Sequence, residues 1–408
     1  MRIFTCSACQ QTVFFENVQC TRCGRRLAYL PDRRVLSAVE PLDDGELSVV
    51  SQFVPLSPLA DGGRYRLCSN QVEYGACNWL VPASDPHPQC IACRMSADLP
   101  EDLDDPETLV AWRRLELAKR RLLYTLDALG LPVESRLERP EGGLAFAFKG
   151  DAEGAKVLTG HAEGLVTINL SEANDAYRER MRVEMGEAYR TLLGHLRHEV
   201  GHYYWDRLIV RGPWLSPFRA LFGDERADYA RSLERHYKVG PPADWQKRYV
   251  SSYATMHPWE DWAETWAHYL HMVDTLDSAS AYGMTLKPKP IGGPRTGRVV
   301  RVRALDFVDF DGLIDRWMTL TVALNGLNRS MGLADPYPFV LSDSAIQKLR
   351  FVHEVVDHLD PDPTDEVPRR WPQWVESEPP VIEIEDDEAI EPRDTLPDLI
   401  PADEDDSG

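Results

Sequence analysis

The segment LLGHLRHEVGHYYWDRL (192–208) carries the pattern HExxH as His198, Glu199 and His202. Side chains at positions i and i+4 of a helix lie on one face, so both imidazoles can reach one metal ion. Glu199 projects about 100° away around the helix, where it can act on a metal-bound water as a general base. Zinc lowers the pKa of such a water to about 7, which makes hydroxide available at neutral pH. The segment therefore predicts a catalytic zinc held by His198 and His202, with Glu199 as the general base.

The same five-residue pattern also arises by chance, and two surface histidines on an ordinary helix would produce it. The placement favours a metal site, because the pattern lies within a predicted helix from about residue 180 to Val210, and Gly201 is the only helix breaker inside the pattern itself. His195 lies one turn earlier. Its spacing to Glu199 fits no standard set of ligands, so we interpret it as a packed or solvated histidine.

A catalytic zinc usually has a third protein ligand and one open position. The metzincin extension HExxHxxGxxH is absent, since positions 205 and 208 hold Trp and Leu. Two later groups of carboxylates compete for the role: Asp224, Glu225 and Asp228 in LFGDERADYA (221–230), and Glu260, Asp261 and Glu264 in HPWEDWAETWAHYLH (257–271).

The second group is favoured because Glu260 and Glu264 are again four residues apart, on a predicted helix rich in Trp and Ala that can pack closely on the first. Glu260 would ligate the metal, and Glu264 would hydrogen-bond a ligating histidine. Asp224 and Glu225 are interpreted as a helix cap or an ion pair with Arg226, and they remain the alternative ligands.

All eight cysteines precede residue 94. Cys6-x2-Cys9 and Cys20-x2-Cys23 form two knuckles that point four thiolates at one centre, as tetrahedral zinc requires. The remaining four predict a second such site: Cys68, Cys77, Cys90 and Cys93. Four protein ligands leave no open position, so both sites are expected to be structural. They would cross-link and stabilise a small domain, and they could also serve as a binding surface for a protein partner.

The net charge of -21 disfavours general nucleic-acid binding, because DNA and RNA are themselves polyanions. Much of the charge lies in residues 376–408, where 14 acids and one Arg give -13, which leaves -8 for the other residues. We expect this acidic, proline-containing tail to be disordered and able to bind a protein partner. Without a long apolar run or a recognisable signal sequence, the chain is expected to be cytoplasmic and not membrane-bound.

The predicted fold class is α+β. A double zinc-ribbon module (1–95) would precede a mainly helical metallopeptidase domain (107–360) of the zincin type with a small β-sheet. Two strands of that sheet are predicted by apolar alternation, GLAFAFKG (143–150) and GLVTINLSE (164–172).

At its two active-site segments the sequence resembles the gluzincin clan, in which a Glu on a later helix completes HExxH. SYATMHPWEDWAE (252–264) is similar to the corresponding stretch of gluzincins of the lethal-factor type. That resemblance implies that Glu260 binds zinc and that Tyr253 stabilises the oxyanion. It also implies that an edge strand, expected to be GLVTINLSE, aligns the substrate peptide.

The whole arrangement over roughly residues 1–360 resembles a bacterial family of zinc-ribbon metallopeptidases. The implied activity is that of a zinc metalloendopeptidase, a hydrolase that cleaves a peptide or protein by Glu199-assisted attack of zinc-bound water. It would hold one catalytic and two structural zinc ions. The rival hypotheses are a non-catalytic adaptor, which binds partners through its ribbons and tail, and a protease recruited to nucleic acid by its ribbons.

Overall fold

A computed structural model describes residues 2–43, 45–151, 157, 159–287, 300–301 and 309–359 of the chain. The predicted acidic tail (376–408) lies outside these described residues. None of the described helices is long and apolar enough to cross a membrane.

The secondary structure is α+β, as predicted, with most strands in the first half and most helices in the second. The strands are β1 Phe4–Thr5, β2 Thr12–Val13, β3 Leu27–Leu30, β4 Val35–Pro41, β5 Gln52–Pro55, β6 Tyr65–Leu67, β7 Leu80–Pro82, β8 Ser96–Asp98, β9 Ala145–Lys149, β10 Gly160–Ala162, β11 Leu165–Asn169, β12 Thr285–Leu286 and β13 Val300–Arg301. The helices are α1 Ser69–Tyr74, α2 Pro106–Ala128, α3 Asp175–Glu184, α4 Leu192–Tyr204, α5 Leu215–Phe222, α6 Tyr229–Val239, α7 Pro258–Ala281, α8 Phe310–Ser330 and α9 Asp343–Asp357.

The N-terminal region contains an antiparallel sheet in the order β3-β4-β5-β6-β7, preceded by the short β1–β2 pair. Alternate residues of β3 face opposite sides, as the period of two of a strand requires. Ala28 and Leu30 join a small core within this region, whereas Tyr29 packs against Tyr124 of α2, with ring centroids 6.1 Å apart. β3 is therefore buried on both faces, and α2 covers one of them.

The second sheet has the order β10-β11-β9-β8. β11 lies parallel to β9, and β10 is added outside β11 by an antiparallel hairpin. The hairpin turns at Glu163 and Gly164, which both have positive φ (49° and 82°), as a tight two-residue turn requires. The expectation that GLVTINLSE forms the edge is therefore wrong: β11 lies inside the sheet, the edges are β10 and β8, and β10 carries His161.

The helix with the HExxH pattern begins later than predicted. α3 ends at Glu184, the chain turns through Gly186 at φ 66°, and Thr191 caps α4 by accepting a hydrogen bond from the Gly194 amide. After Tyr204 the helix widens into a π-helical turn over Trp205–Ile209. The predicted single helix from residue 180 is therefore two helices.

The backbones of α4 and α7 pack closely against each other at Gly201. A Cβ atom at this position would lie 2.9 Å from the Cα of Ala263, which is closer than real Cβ contacts. The indole of Trp262 donates a 2.8 Å hydrogen bond to the Gly201 carbonyl, and Trp266 stacks on Tyr204 with centroids 4.8 Å apart. The small residues predicted to allow close packing thus let the two backbones touch.

Candidate metal centre

The structure brings together His198 and His202 of α4 with Glu260 of α7. One Glu260 carboxylate oxygen lies 3.0 Å from His198 Nε2, and the other lies 3.5 Å from His202 Nε2. The three potential ligand atoms all lie within 4.8 Å of one another, and all three residues are buried. His257 and Pro258 start α7, which places Glu260 in its first turn, facing α4.

These distances fit a zinc ion. Zinc holds nitrogen and oxygen ligands at about 2.0–2.2 Å, so the ligand atoms of a tetrahedral site lie about 3.3 Å apart. Glu260 Oε2 is buried and has no hydrogen-bond partner among the described residues. A buried carboxylate oxygen without a partner is costly, and a cation at this point would satisfy it.

Glu264 lies one helical turn after Glu260 and bonds the other side of His198. His198 Nδ1 donates a 2.6 Å hydrogen bond to Glu264 Oε1, while Ser251 donates to Glu264 Oε2 at 2.5 Å. With its proton on Nδ1, His198 presents the lone pair of Nε2 to the centre, an arrangement common in zinc sites. Burial opposes the charged imidazole, but the adjacent carboxylates of Glu260 and Glu264 outweigh it and raise the pKa of His198.

His202 is held by stacking. Its ring centroid is 3.8 Å from that of Trp259 and 6.4 Å from that of His161 on β10. Its buried Nδ1 finds no hydrogen-bond partner within the described ranges. Burial, together with the nearby His202, lowers the pKa of His161 to about 4, so His161 is neutral at physiological pH.

Tyr229 is a residue of the site that the sequence interpretation missed. Its hydroxyl donates a 2.9 Å hydrogen bond to Glu260 Oε1. Tyr229 belongs to the segment LFGDERADYA, from which the sequence analysis takes only the carboxylates as candidate metal ligands. The tyrosine is 31 positions from Glu260, and no local spacing relates the two residues.

The alternative ligands in that segment have other partners. Asp224 pairs with Arg226 at 2.7 Å, and Glu225 pairs with Arg219. Asp228 caps α6 by accepting a hydrogen bond from the Arg231 amide. The structure brings none of these carboxylates to the two histidines.

Glu199 is buried near the three potential ligands and does not belong to that group. Its Oε1 lies 3.4 Å from Nε2 of His195, one turn earlier on α4. Burial would raise the pKa of Glu199, but the hydrogen bond with His195 and the neighbouring imidazoles outweigh it and lower the pKa. Glu199 is therefore an ionised carboxylate at neutral pH, which a general base must be.

Tyr253 lies in a short 3₁₀ turn just before α7, with its ring centroid 6.0 Å from that of His198. Burial, and then the negative charge of Glu260, raise its pKa above the ordinary range. Tyr253 therefore keeps its proton and can donate a hydrogen bond near the metal centre.

The eight cysteines form the two predicted groups of four, and none of them is in a disulfide. Sulfur atoms lie 3.6 Å apart in the pair Cys9–Cys20 and 3.7 Å apart in the pair Cys77–Cys90. Thiolates at about 2.3 Å from a tetrahedral zinc are about 3.8 Å apart. Both groups thus have the spacing of a closed four-thiolate zinc site.

The second group is embedded against α2. All four of its cysteines are buried, and Glu116 of α2 approaches Cys93 at 4.0 Å. Arg120, also on α2, is buried and donates a 2.6 Å hydrogen bond to the Ala76 carbonyl. The positive charge of Arg120 offsets part of the negative charge that four thiolates would bring into this interior.

Comparisons with known proteins agree with this geometry. Residues 108–355 match the family described as "Putative zinc-binding metallo-peptidase", and residues 3–104 match a zinc-ribbon domain. Uncharacterised proteins of Mycobacterium tuberculosis and Mycobacterium bovis are 42% identical over 363 residues, which cover 89% of this chain and 97% of theirs. No solved structure matches the chain significantly. The chain therefore belongs to this family of zinc-binding metallopeptidases, with a zinc-ribbon domain ahead of the peptidase region.

Proposed function

We propose that the protein is a zinc-dependent endopeptidase whose catalytic metal is held by His198, His202 and Glu260. The observation that carries this proposal is the convergence of two imidazoles and one carboxylate, with Glu199 beside them but outside the ligand set. Three protein ligands leave a tetrahedral zinc one open position, which a catalytic site needs and a four-cysteine site lacks. The resemblance to gluzincins supports the same assignment.

Zinc bound there would supply Lewis acidity, which polarises a peptide carbonyl and acidifies water. Glu199 takes the proton of the attacking water and delivers it to the nitrogen of the leaving amine. The Tyr253 hydroxyl, which its raised pKa keeps protonated, donates a hydrogen bond to the carbonyl oxygen as negative charge develops there. Glu264 holds the orientation of the His198 ring through its hydrogen bond to Nδ1 during the reaction.

The two cysteine groups would each hold a structural zinc, so that the loaded protein carries three zinc ions. Their sulfur spacing and the burial of the second group support this role. They staple a region whose strands are only two to seven residues long.

The test is Glu199→Gln, assayed with a fluorescence-quenched peptide library on zinc-loaded protein. An amide cannot accept the proton of water, so cleavage should fall by about 10²–10⁴-fold while zinc content is unchanged. Glu354→Gln, which alters an exposed carboxylate on α9, should cleave like the wild type. Equal cleavage by Glu199→Gln and wild type would overturn the mechanism. If the wild type with three bound zinc ions cleaves no peptide, the adaptor hypothesis is favoured.

A further inference from the structure

We propose that His195 is a positioning residue for the general base, clamped between the carboxylates of Glu172 and Glu199. This inference rests on the proposed function, because it assigns a role in the reaction of Glu199. From its sequence spacing alone, His195 is interpreted as a packed or solvated histidine.

The two ring nitrogens of His195 face different carboxylates. Nε2 lies 3.4 Å from Glu199 Oε1. Nδ1 lies 3.8 Å from Glu172 Oε2, an ion-pair distance, and neither of these last two buried atoms makes a hydrogen bond within the described residues. Only 16% of the His195 side chain is exposed, and the two glutamates are almost fully buried at 7% and 5%. The imidazole thus bridges two carboxylates that solvent screens poorly.

The far end of this bridge is fixed to the sheet. Glu172 lies in the 3₁₀ turn Leu170–Ala173, which directly follows β11. Its other oxygen, Oε1, accepts a 2.5 Å hydrogen bond from Arg190, which also bonds Glu187 at 3.0 Å. A continuous series of charged groups therefore runs from Arg190 through Glu172 and His195 to Glu199.

This geometry favours a doubly protonated ring. A neutral imidazole has one nitrogen lone pair, which would point at one of the two carboxylates. The doubly protonated ring instead presents an N–H to each. Burial and the nearby Arg190 oppose the positive charge, but Glu172 and Glu199 outweigh them and raise the pKa of His195.

The clamp has two consequences for catalysis. It holds Glu199 through Oε1, which leaves the other carboxylate oxygen for the proton of the attacking water. Because both nitrogens of His195 already carry protons, the ring cannot take that proton from Glu199. The proton can then pass from Glu199 to the nitrogen of the departing amine, and His195 neither gains nor loses one during the reaction.

The variants His195→Gln, Glu172→Gln and their combination test the clamp on the zinc-loaded protein, with the exposed His358→Gln as a control. Loss of a partner that orients a site residue typically costs about 10–100-fold. We expect kcat to fall by that amount in His195→Gln with KM and zinc content unchanged, and by less in Glu172→Gln. The kcat of the double variant should be no lower than that of His195→Gln, since both changes interrupt the same series of charged groups.

A second readout does not depend on activity. In the metal-free protein, nitrogen NMR of His195, assigned by its loss in His195→Gln, should show two protonated ring nitrogens at neutral pH. Glu172→Gln should lower the pH at which the ring loses its second proton. A neutral ring in the wild type, an unchanged kcat in His195→Gln, or a kcat loss that tracks lost zinc would each overturn the clamp. If no variant and no wild type cleaves peptide while the ring is doubly protonated, the clamp stands and the peptidase assignment fails.

Discussion

Gly201 and Ala263 bring the backbones of α4 and α7 into direct contact. Gly201 lies one position before His202, and Ala263 lies three positions after Glu260. A Cβ at residue 201 would lie 2.9 Å from Ala263 Cα and 3.3 Å from its carbonyl oxygen. Neither is the end of a flexible side chain, so the helices themselves would have to move. The glycine inside HExxH therefore sets the distance between the two histidines and Glu260.

Gly201→Ala should lower the free energy of unfolding by about 1–3 kcal/mol, the usual cost of overpacking a tight interface. It should also weaken zinc binding at the His–His–Glu site, because α7 carries Glu260 away from α4. Thermal unfolding and a chelator competition measure the two effects. Gly326→Ala on α8 is the matched control: a Cβ there meets nothing within 4 Å, so this change should stabilise the helix by about 0.5–1 kcal/mol. Equal effects of the two substitutions would show that the contact carries no strain.

Glu264→Gln should weaken zinc binding at the catalytic site by about 10–100-fold. The substitution removes the negative charge that His198 Nδ1 contacts at 2.6 Å, and such partners orient a ligating imidazole and raise its basicity. Chelator competition gives the affinity, with the exposed Glu234→Gln as control. Zinc affinity equal to that of the wild type would mean that Glu264 has only a packing role.

Tyr229→Phe removes the hydrogen bond to Glu260 and should weaken zinc binding by about tenfold or more, since a hydrogen bond to a charged group contributes about 1.5 kcal/mol or more. Tyr237→Phe is a matched control on the same helix, because that side chain is 61% exposed. If both variants bind zinc like the wild type, the Tyr229 hydroxyl does not support the ligand.

Glu172 makes the stability of the fold depend on pH in a defined range. Burial opposes its charge, but His195 and Arg190 outweigh this and lower its pKa from 4.5 to about 2. A carboxyl group whose pKa is lower in the folded state stabilises the fold fully above the unfolded pKa, and this stabilisation is lost as pH falls toward the folded pKa.

The free energy lost on Glu172→Gln should therefore be largest near pH 7 and should shrink between about pH 4.5 and about pH 2. Urea unfolding of both proteins at pH 7, 5, 4 and 3 measures it, and Glu354→Gln controls for general charge effects. A loss that stays constant over this range would contradict the assigned shift.

The sequence predicted the parts of the site that depend on spacing within one element. His198 and His202 share a helical face because they are four residues apart. The two cysteines of each CxxC pair converge because so short a spacing points both thiolates at one centre. Glu260 was favoured because its helix carries small residues for close packing, and the contact between Gly201 and Ala263 is of that kind.

The parts that were missed depend on residues far apart in the sequence. His195 gains its role from Glu172, which a turn after β11 places beside α4. Tyr229 reaches Glu260 across 31 positions. The edge strand was misassigned because apolar alternation marks a strand but does not give its neighbours, and the hairpin at Glu163 and Gly164 added β10 outside it.

The zinc content of His202→Ala tests the central claim most directly. Wild-type protein, purified in zinc and freed of loosely bound metal, should carry three zinc ions per chain. His202→Ala should carry two and keep its secondary structure, because the cysteine sites lie elsewhere, whereas replacing Cys6 and Cys9 should remove a different ion. Three zinc ions retained by a folded His202→Ala protein would contradict the account, since His202 would then hold no metal.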